Sequence, residues 1–163
     1  MVDFSKLKIP KNYINELDEV DFKIIHLLQK NSRMSAKEIA NAVFLSSTAV
    51  ASRIDKLLEK NIISGFGIRL NPIALGYYTK AFICVEVEPI RKKEFYPYIE
   101  KCKNVVQCNC VTGDFSMLLE VMFHNTIELD VFIGELQQFG KTKTLIVFST
   151  SVEHREVYYD NMP

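Results

Sequence analysis

Three helix start signals stand in close succession between Leu17 and Val50, and together they leave few folds open to the chain. Ser35 stands three residues before Glu38, an S-x-x-E capping box in which hydroxyl and carboxylate satisfy amides that the first helical turn leaves unpaired. Met34 before the cap and Ile39 inside the helix form a hydrophobic staple across it. The pattern recurs at Ser46, with Leu45 and Val50 as the staple. It appears once more upstream, with Asp18 as cap, Asp21 at the third position and Leu17 against Phe22. Three capped helices of roughly 11 to 15 residues, with few residues between them, predict a compact tri-helical unit of helix-turn-helix type.

The first helix is expected from Leu17 to Asn31, with Val20, Ile24, Leu27 and Leu28 on one face. In the third, Val50, Ile54, Leu57 and Leu58 make the buried stripe. A turn of about 100° per residue then puts Thr48, Ala49, Ser52 and Lys56 on the solvent side. That side is small and polar at its N-terminal end, as a helix entering a DNA groove requires. Hydroxyls there can reach base edges or phosphates, and the amide end of the helix dipole favours a phosphate. The candidate DNA contacts are Ser46, Ser47, Thr48, Ser52 and Lys56, with Ser35 and Lys37 at the start of the second helix. Arg53 borders the stripe, where it can reach a phosphate or brace the fold through an internal ion pair. Asp55 and Glu59 would repel phosphate, which confines contacts to the first two turns. A plain solvated helix face would carry the same residue types; the three capped starts are what favour the DNA reading.

Asn61 suits the left-handed conformation that closes a helix. Residues 62–70 alternate like a strand, interrupted by Gly65 and Gly67, and a strand or hairpin there would be a wing with Arg69 as a phosphate contact. Charge divides along the same line. Residues 1–72 hold 11 Lys and Arg against 8 Asp and Glu, net +3, whereas residues 73–163 hold 9 against 12, net −3. A mildly basic module joined to an acidic one fits a DNA reader attached to something else.

Beyond Tyr78 the period changes. Strands are expected at Thr79–Glu88, Val105–Thr112, Phe115–Phe123 and Thr142–Ser151. Helices are expected around Phe95–Cys102, with Pro97 near its start, and from the Asn125 cap to Gly140, with Ile127, Val131 and Leu136 on the apolar face. Gly113-Asp114 reads as a tight turn between the second and third strands. The order βαββαβ is a ferredoxin-like unit. On the third strand Met117, Leu119, Val121 and Phe123 should share one face, with Leu118 and Met122 on the other. The expected domains are thus an arm at 1–16, a winged helix-turn-helix at 17–72, a linker at 73–78, a ferredoxin-like domain at 79–151 and a tail at 152–163. The fold class is α+β.

No run approaches the ~18 apolar residues of a membrane span, and the start of the chain lacks the apolar segment of a signal peptide. A cytoplasmic protein without membrane attachment is expected. Cys84, Cys102, Cys108 and Cys110 form no C-x-x-C pair and have no histidine at ligand spacing, so reduced thiols rather than a metal or cofactor site are expected.

The series Leu17-Asp18-x-x-Asp21-x-Lys23-Ile24, Asn31-Ser32-Arg33-Met34-Ser35, Glu38-Ile39-Ala40, Leu45-Ser46 and Arg53-Ile54 is specific when taken in order. It continues through Ile63-Ser64-Gly65-Phe66, Leu70-Asn71-Pro72 and Gly113-Asp114-Phe115. Over about Leu17 to Ser151 the chain resembles the Lrp/AsnC (feast/famine) family of prokaryotic transcriptional regulators. The resemblance implies a winged helix-turn-helix followed by a ferredoxin-like domain that binds an amino acid. It also implies homodimers formed by sheet contact that assemble into tetramers or octamers. Gly113, Asp114, Phe115 and Ser116 stand where it places the effector, although a Gly-Asp turn is also common in ordinary hairpins.

The chain departs from the family pattern at four places. Phe44 occupies a corner that is commonly Gly. Ser116 ends a turn that usually reads Gly-Asp-x-Asp. Gly140-Lys141-Thr142 replaces Pro-Gly-Val, and Asp55 replaces a frequently basic residue. Two alternatives to a regulator of double-stranded DNA are an enzyme on a similar scaffold, of the haem-pathway decarboxylase kind, and a co-regulator that binds DNA poorly. His26, His124 and His154 are the only histidines, and no acid/base cluster surrounds them in the sequence.

Overall fold

The computed structural model describes residues 16–157. These fall into two units, residues 16–69 with 154–157 and residues 70–153. Residues 1–15 of the N-terminal arm and Tyr158 and Tyr159 of the tail lie outside the described residues.

The first unit contains α1 (Glu19–Lys30), α2 (Ala36–Val43) and α3 (Ser47–Glu59). Each begins where its cap sits. Asp18 and Asp21 form a reciprocal capping box, Ser35 and Glu38 form another, and the Ser46 hydroxyl accepts from the Ala49 amide at 3.1 Å. With their ends satisfied, the helices bury Ile24, Leu28, Ile39, Ala40, Val43, Val50 and Leu57 in one core. Arg53 ties the start of α1 to the flank of α3. Its Nη1 donates to both Asp18 carboxylate oxygens at 2.9 and 2.8 Å and to Asp21 Oδ1 at 2.7 Å.

Two left-handed residues close the helices. Asn61 (φ 53°) ends α3 as expected, sending the Ile62 amide back to the Leu57 carbonyl at 2.9 Å. Phe44 (φ 57°, ψ 42°) ends α2, with the Leu45 amide on the Ala40 carbonyl at 3.0 Å. The corner therefore has its usual shape despite the bulky residue, and the Phe44 ring, 94% exposed, packs against nothing that would offset the strain. Residues 62–70 form no strand, contrary to the expected wing. Ile62 and Ile63 join the helical core, while Phe66, Ile68 and Leu70 are exposed. A strand needs a partner, and none is present beside this run among the described residues.

The second unit is a four-stranded antiparallel sheet ordered β2-β3-β1-β4, with β1 Thr79–Val87, β2 Val105–Cys110, β3 Met117–Phe123 and β4 Gly140–Ile146. Strict alternation on β1 and β3 places Ala81, Ile83, Val85, Met117, Leu119 and Val121 on one buried face. The α4 (Lys92–Lys101) residues Phe95 and Ile99 pack into that core, as do Leu129, Phe132 and Leu136 of α5 (Thr126–Gln137). The opposite face carries Lys80, Phe82, Cys84, Leu118, Glu120 and Met122, all only half-buried, with Lys80 bonded to Glu120 at 2.7 Å.

Several local expectations are corrected. Pro97 lies inside α4, whose start is extended by a short 3-10 turn at Pro89–Arg91. Pro97 is exposed, so the carbonyl it cannot bond can face water. In α5, Ile127 and Val131 point outward, and Leu129 and Phe132 do the packing. Gly140 opens β4 rather than closing α5, facing Val87 across the β1 pairing. A Cβ there would stand 1.9 Å from the Glu86 carbonyl oxygen, so only glycine fits. The strands β2, β3 and β4 are each shorter than their sequence patterns suggested.

Two outcomes are expected of the first unit. Replacing Phe44 with Gly removes the left-handed penalty of roughly 1–2 kcal/mol, offset by roughly 0.5–1 kcal/mol of added chain entropy in the unfolded state. Phe44→Gly should therefore raise stability, read as a higher urea midpoint followed by far-UV circular dichroism; an unchanged or lower midpoint contradicts the strain. The second concerns acid. Burial pulls the Asp18 pKa up, but the Asp21 amide and the Arg53 guanidinium outweigh it and hold the carboxyl below the usual range. Its contribution is complete above the ordinary aspartate value of about 4 and lost as pH falls through the lowered one. Solvent screening of the half-exposed Asp18 limits that contribution to about 1 kcal/mol or less. Asp18→Asn keeps the cap, so it should melt lower than wild type at pH 7, with the gap narrowing as pH falls below the ordinary aspartate range.

Candidate nucleic-acid interface and effector turn

Rotation along α3 separates anchoring residues from exposed ones. Val50, Ile54 and Leu57 face the core and Arg53 faces α1, whereas Ser47, Thr48, Ala51, Ser52, Asp55 and Lys56 are exposed. Ala49, expected on the exposed side, is half-buried, and Ala51 takes its place. The displacement follows from the wheel. Thr48, Ala51, Ser52 and Asp55 fall within an arc of about 100°, while Ala49 lies beyond its edge toward Arg53.

The other candidates fare differently. Arg53 is held by two carboxylates, so of its two possible roles the structure contains the brace. Hydrogen bonds first to Asp21 and then to Asp18 push its guanidinium pKa up further, so it stays charged. The Ser46 hydroxyl caps α3. The Ser35 hydroxyl accepts from the Glu38 amide at 3.2 Å and donates to Glu38 Oε2 at 2.7 Å. Hydrogen bonds from the Ser35 hydroxyl and then its amide hold the Glu38 carboxyl below its usual range. Lys37 is exposed at the start of α2. Arg69 is also exposed, but it stands in the strandless run 62–70 rather than on a hairpin. Beside α3, Glu16, Asp18 and Asp21 line one wall of a shallow cleft whose other wall is Ser52, Arg53, Lys56 and Lys60. Lys60 reaches Glu16 at 2.9 Å.

The candidate effector turn is the loop between Cys110 and Met117, closed by the Val111 amide on the Ser116 carbonyl at 3.0 Å. It is longer than the two-residue turn expected. Gly113 adopts φ 111° in open space, Asp114 is exposed and Phe115 is half-buried. Ser116 turns toward β1, where its hydroxyl accepts from the Val87 amide at 3.0 Å and lies 3.4 Å from the Val85 carbonyl oxygen. Its polar atoms are thus committed to the strand edge, and Asp114 is the exposed charge at the turn.

The residues that an enzyme reading would need are engaged separately. His124 Nδ1 lies 2.8 Å from the Gly76 carbonyl oxygen, and its ring stacks on Tyr77. His154 stands 3.6 Å from Glu156, and His26 is half-buried on α1. The four cysteines are free thiols. Burial pushes the Cys102 and Cys108 thiols up, away from the thiolate a nucleophile would need. Among the described residues no three His, Cys, Asp or Glu side chains cluster at metal-binding distance, and no helix is long and apolar enough to cross a membrane.

Comparison with known proteins gives this geometry a family. Residues 17–58 match the AsnC-type helix-turn-helix domain and residues 80–157 the Lrp/AsnC ligand binding domain. The chain is 37% identical over 132 residues to the HTH-type transcriptional regulator LrpA of Bacillus subtilis, spanning 80% of this chain and 97% of that one. It is 32% identical over 144 residues to the regulator FL11 of Pyrococcus furiosus, spanning 86% and 95%. Among solved structures it is similar to Escherichia coli AsnC, with a TM-score of 0.78, 26% identity and coverage of 86% and 97%. It is also similar to a feast or famine regulatory protein of Mycobacterium tuberculosis complexed with L-methionine, with a TM-score of 0.80, 25% identity and coverage of 86% and 98%. Two domains in this order, over nearly the full length of such relatives, place the chain in the Lrp/AsnC family of transcriptional regulators.

Proposed function

We propose that this protein acts in the cytoplasm as a sequence-specific regulator of double-stranded DNA whose assembly or DNA affinity responds to an amino acid. The observation that carries the reading is the uncovered N-terminal half of α3. Ser47, Thr48, Ala51 and Ser52 are short and exposed, the Ser46 cap leaves the dipole end of the helix facing outward, and Lys56 is exposed one turn further on. Thr48 and Ser52 read base edges, while Ser47, Lys37 and Lys56 meet phosphates. Arg53 orients the helix from behind.

The working unit is a homodimer, which assembles further into tetramers or octamers. Support comes from the one-sided sheet: helices cover one face, while Phe82, Cys84, Leu118 and Met122 remain half-buried on the other. A second copy laid on that face removes the apolar surface from water. Two such copies present two α3 helices to successive major grooves, so half-sites lie about one helical turn, roughly 34–36 Å, or a multiple of it apart. The effector sits at the turn of Gly113, Asp114 and Phe115, where Asp114 receives the amino group. Ser116 shapes the turn from its place on the β1 edge. The effector acts through unequal affinity for the assembly states or for the free and DNA-bound forms. No observation favours an enzyme over this reading.

Fluorescence anisotropy on sites selected from genomic DNA tests the DNA half. Lys56→Ala should weaken every site alike and lower the salt slope by about one phosphate contact. Thr48→Ala should change preference at one base pair per half-site; an equal loss on all sequences contradicts base reading by Thr48. For the effector half, calorimetry with L-methionine and a panel of other amino acids should show binding that Asp114→Ala abolishes. Unchanged binding by that variant removes Asp114 from the site.

A further inference from the structure

Asp55 is the residue of α3 that the family pattern leads one to discount, because a carboxylate repels phosphate. Its surroundings point elsewhere. It is exposed, and the helical neighbours three and four positions away are Ala51, Ser52, Leu58 and Glu59, none of them cationic. No hydrogen bond or ion pair engages it among the described residues, unlike Asp18 and Asp21, which hold Arg53. Glu59 at i+4 repels it. Asp55 therefore contributes nothing favourable to the folded helix.

Its position is more informative than its charge. Thr48, Ala51, Ser52 and Asp55 follow the i, i+3, i+4, i+7 spacing by which a helix lying along the major groove lines up residues against base edges. Thr48, Ala51 and Ser52 are short, so the helix axis can come close to the base pairs and bring the short Asp55 side chain within reach. A carboxylate is an acceptor only and needs a donor in the groove. The major groove offers two, the amino groups of adenine and cytosine. The adenine amino group is flanked by the N7 acceptor of its own ring, which repels a carboxylate, whereas cytosine presents its N4 amino group with no acceptor on its own major-groove edge.

We propose that Asp55 is a specificity-determining residue that accepts a hydrogen bond from the N4 amino group of a cytosine in the operator. The assignment rests on the reading of α3 as the DNA-entering helix. The rise along α3 from Thr48 to Asp55 is about 10 Å, and the groove is inclined to the duplex axis, so this cytosine stands about two to three base pairs from the one read by Thr48. In each half-site the two positions are therefore coupled at a fixed separation. Asp55 supplies discrimination in place of the affinity that a basic residue there would give.

The test is in vitro selection on randomised DNA with the full-length wild type, Asp55→Ala and Asp55→Asn, followed by anisotropy titrations on the selected site and on the same site with that C·G pair changed to T·A. The wild type should select one cytosine per half-site at that separation and bind the altered site roughly 5- to 100-fold more weakly. For Asp55→Ala the ratio of the two affinities should fall to about one, even as its binding to random DNA tightens through loss of repulsion. Asp55→Asn should move the preference toward adenine, since the amide both accepts and donates. Variants that tighten on all sequences while keeping the wild-type discrimination ratio would show a purely repulsive Asp55 and overturn the proposal. Selection of a defined operator with no Asp55-dependent cytosine overturns it while leaving the DNA reading standing. Failure of every form to enrich any sequence overturns the DNA reading and this assignment with it. Far-UV circular-dichroism spectra that overlay for the three proteins at the assay temperature show each fully folded and keep any difference assigned to DNA contacts.

Discussion

The contact on which the candidate interface depends is a single guanidinium nitrogen. Arg53 Nη1 binds Asp18 and Asp21 together, and those carboxylates are the cap and the third position of α1. One cluster therefore ends one helix and aims another. The aspartates already serve the α1 start, whose amides and dipole favour negative charge, and the arginine shares them without requiring a further buried acid. Hydrophobic packing of Ile24, Val50 and Leu57 fixes the distance between α1 and α3. The ion pair restricts rotation of α3 about its own axis, which decides which side chains reach outward.

In the second unit the governing constraint is the alternation on β1 and β3. Seven paired positions from Thr79–Phe123 to Val85–Met117 keep the register, so slipping by one residue would expose Ile83, Val85 and Leu119 together. Two features hold the β1 rim. Gly140 lets β4 come against the Glu86 carbonyl, and the Ser116 hydroxyl joins the Val85 and Val87 backbone from the other side. The loop that carries Asp114 is thus anchored at its end by a side chain that a longer, charged residue could not replace without rearranging the strand edge.

Much of this was legible in the residues. The three caps are local chemistry, and each appeared where Asp18, Ser35 and Ser46 announced it. Alternation assigned Met117, Leu119, Val121 and Phe123 to one face because a strand has no other way to arrange them. What was not legible depended on neighbours distant in sequence. Residues 62–70 alternate, but pairing needs a second strand that the run itself cannot supply. The role of Gly140 depended on the Glu86 carbonyl, more than fifty residues away. Ile127 and Val131 fit a helical period as well as Leu129 and Phe132 do, and the sheet beneath α5 chose between them. At the interface, the exchange of Ala49 for Ala51 required knowing which side of α3 Arg53 holds. The choice between brace and phosphate contact for Arg53 likewise turned on Asp18 and Asp21, thirty-odd residues earlier.

Phe44 combines a left-handed backbone with a ring that is 94% exposed, two residues before the Ser46 cap of α3. The chain contains no tryptophan. A single indole introduced at this corner would carry the same left-handed penalty that the phenylalanine already carries and would displace no packing. It would also be the only such emitter in the molecule, standing in water beside the end of the helix assigned to DNA. The strained corner is thus a ready-made optical window, through which quenching or a shift in emission reports the arrival of a macromolecule at α3 without a label on either partner.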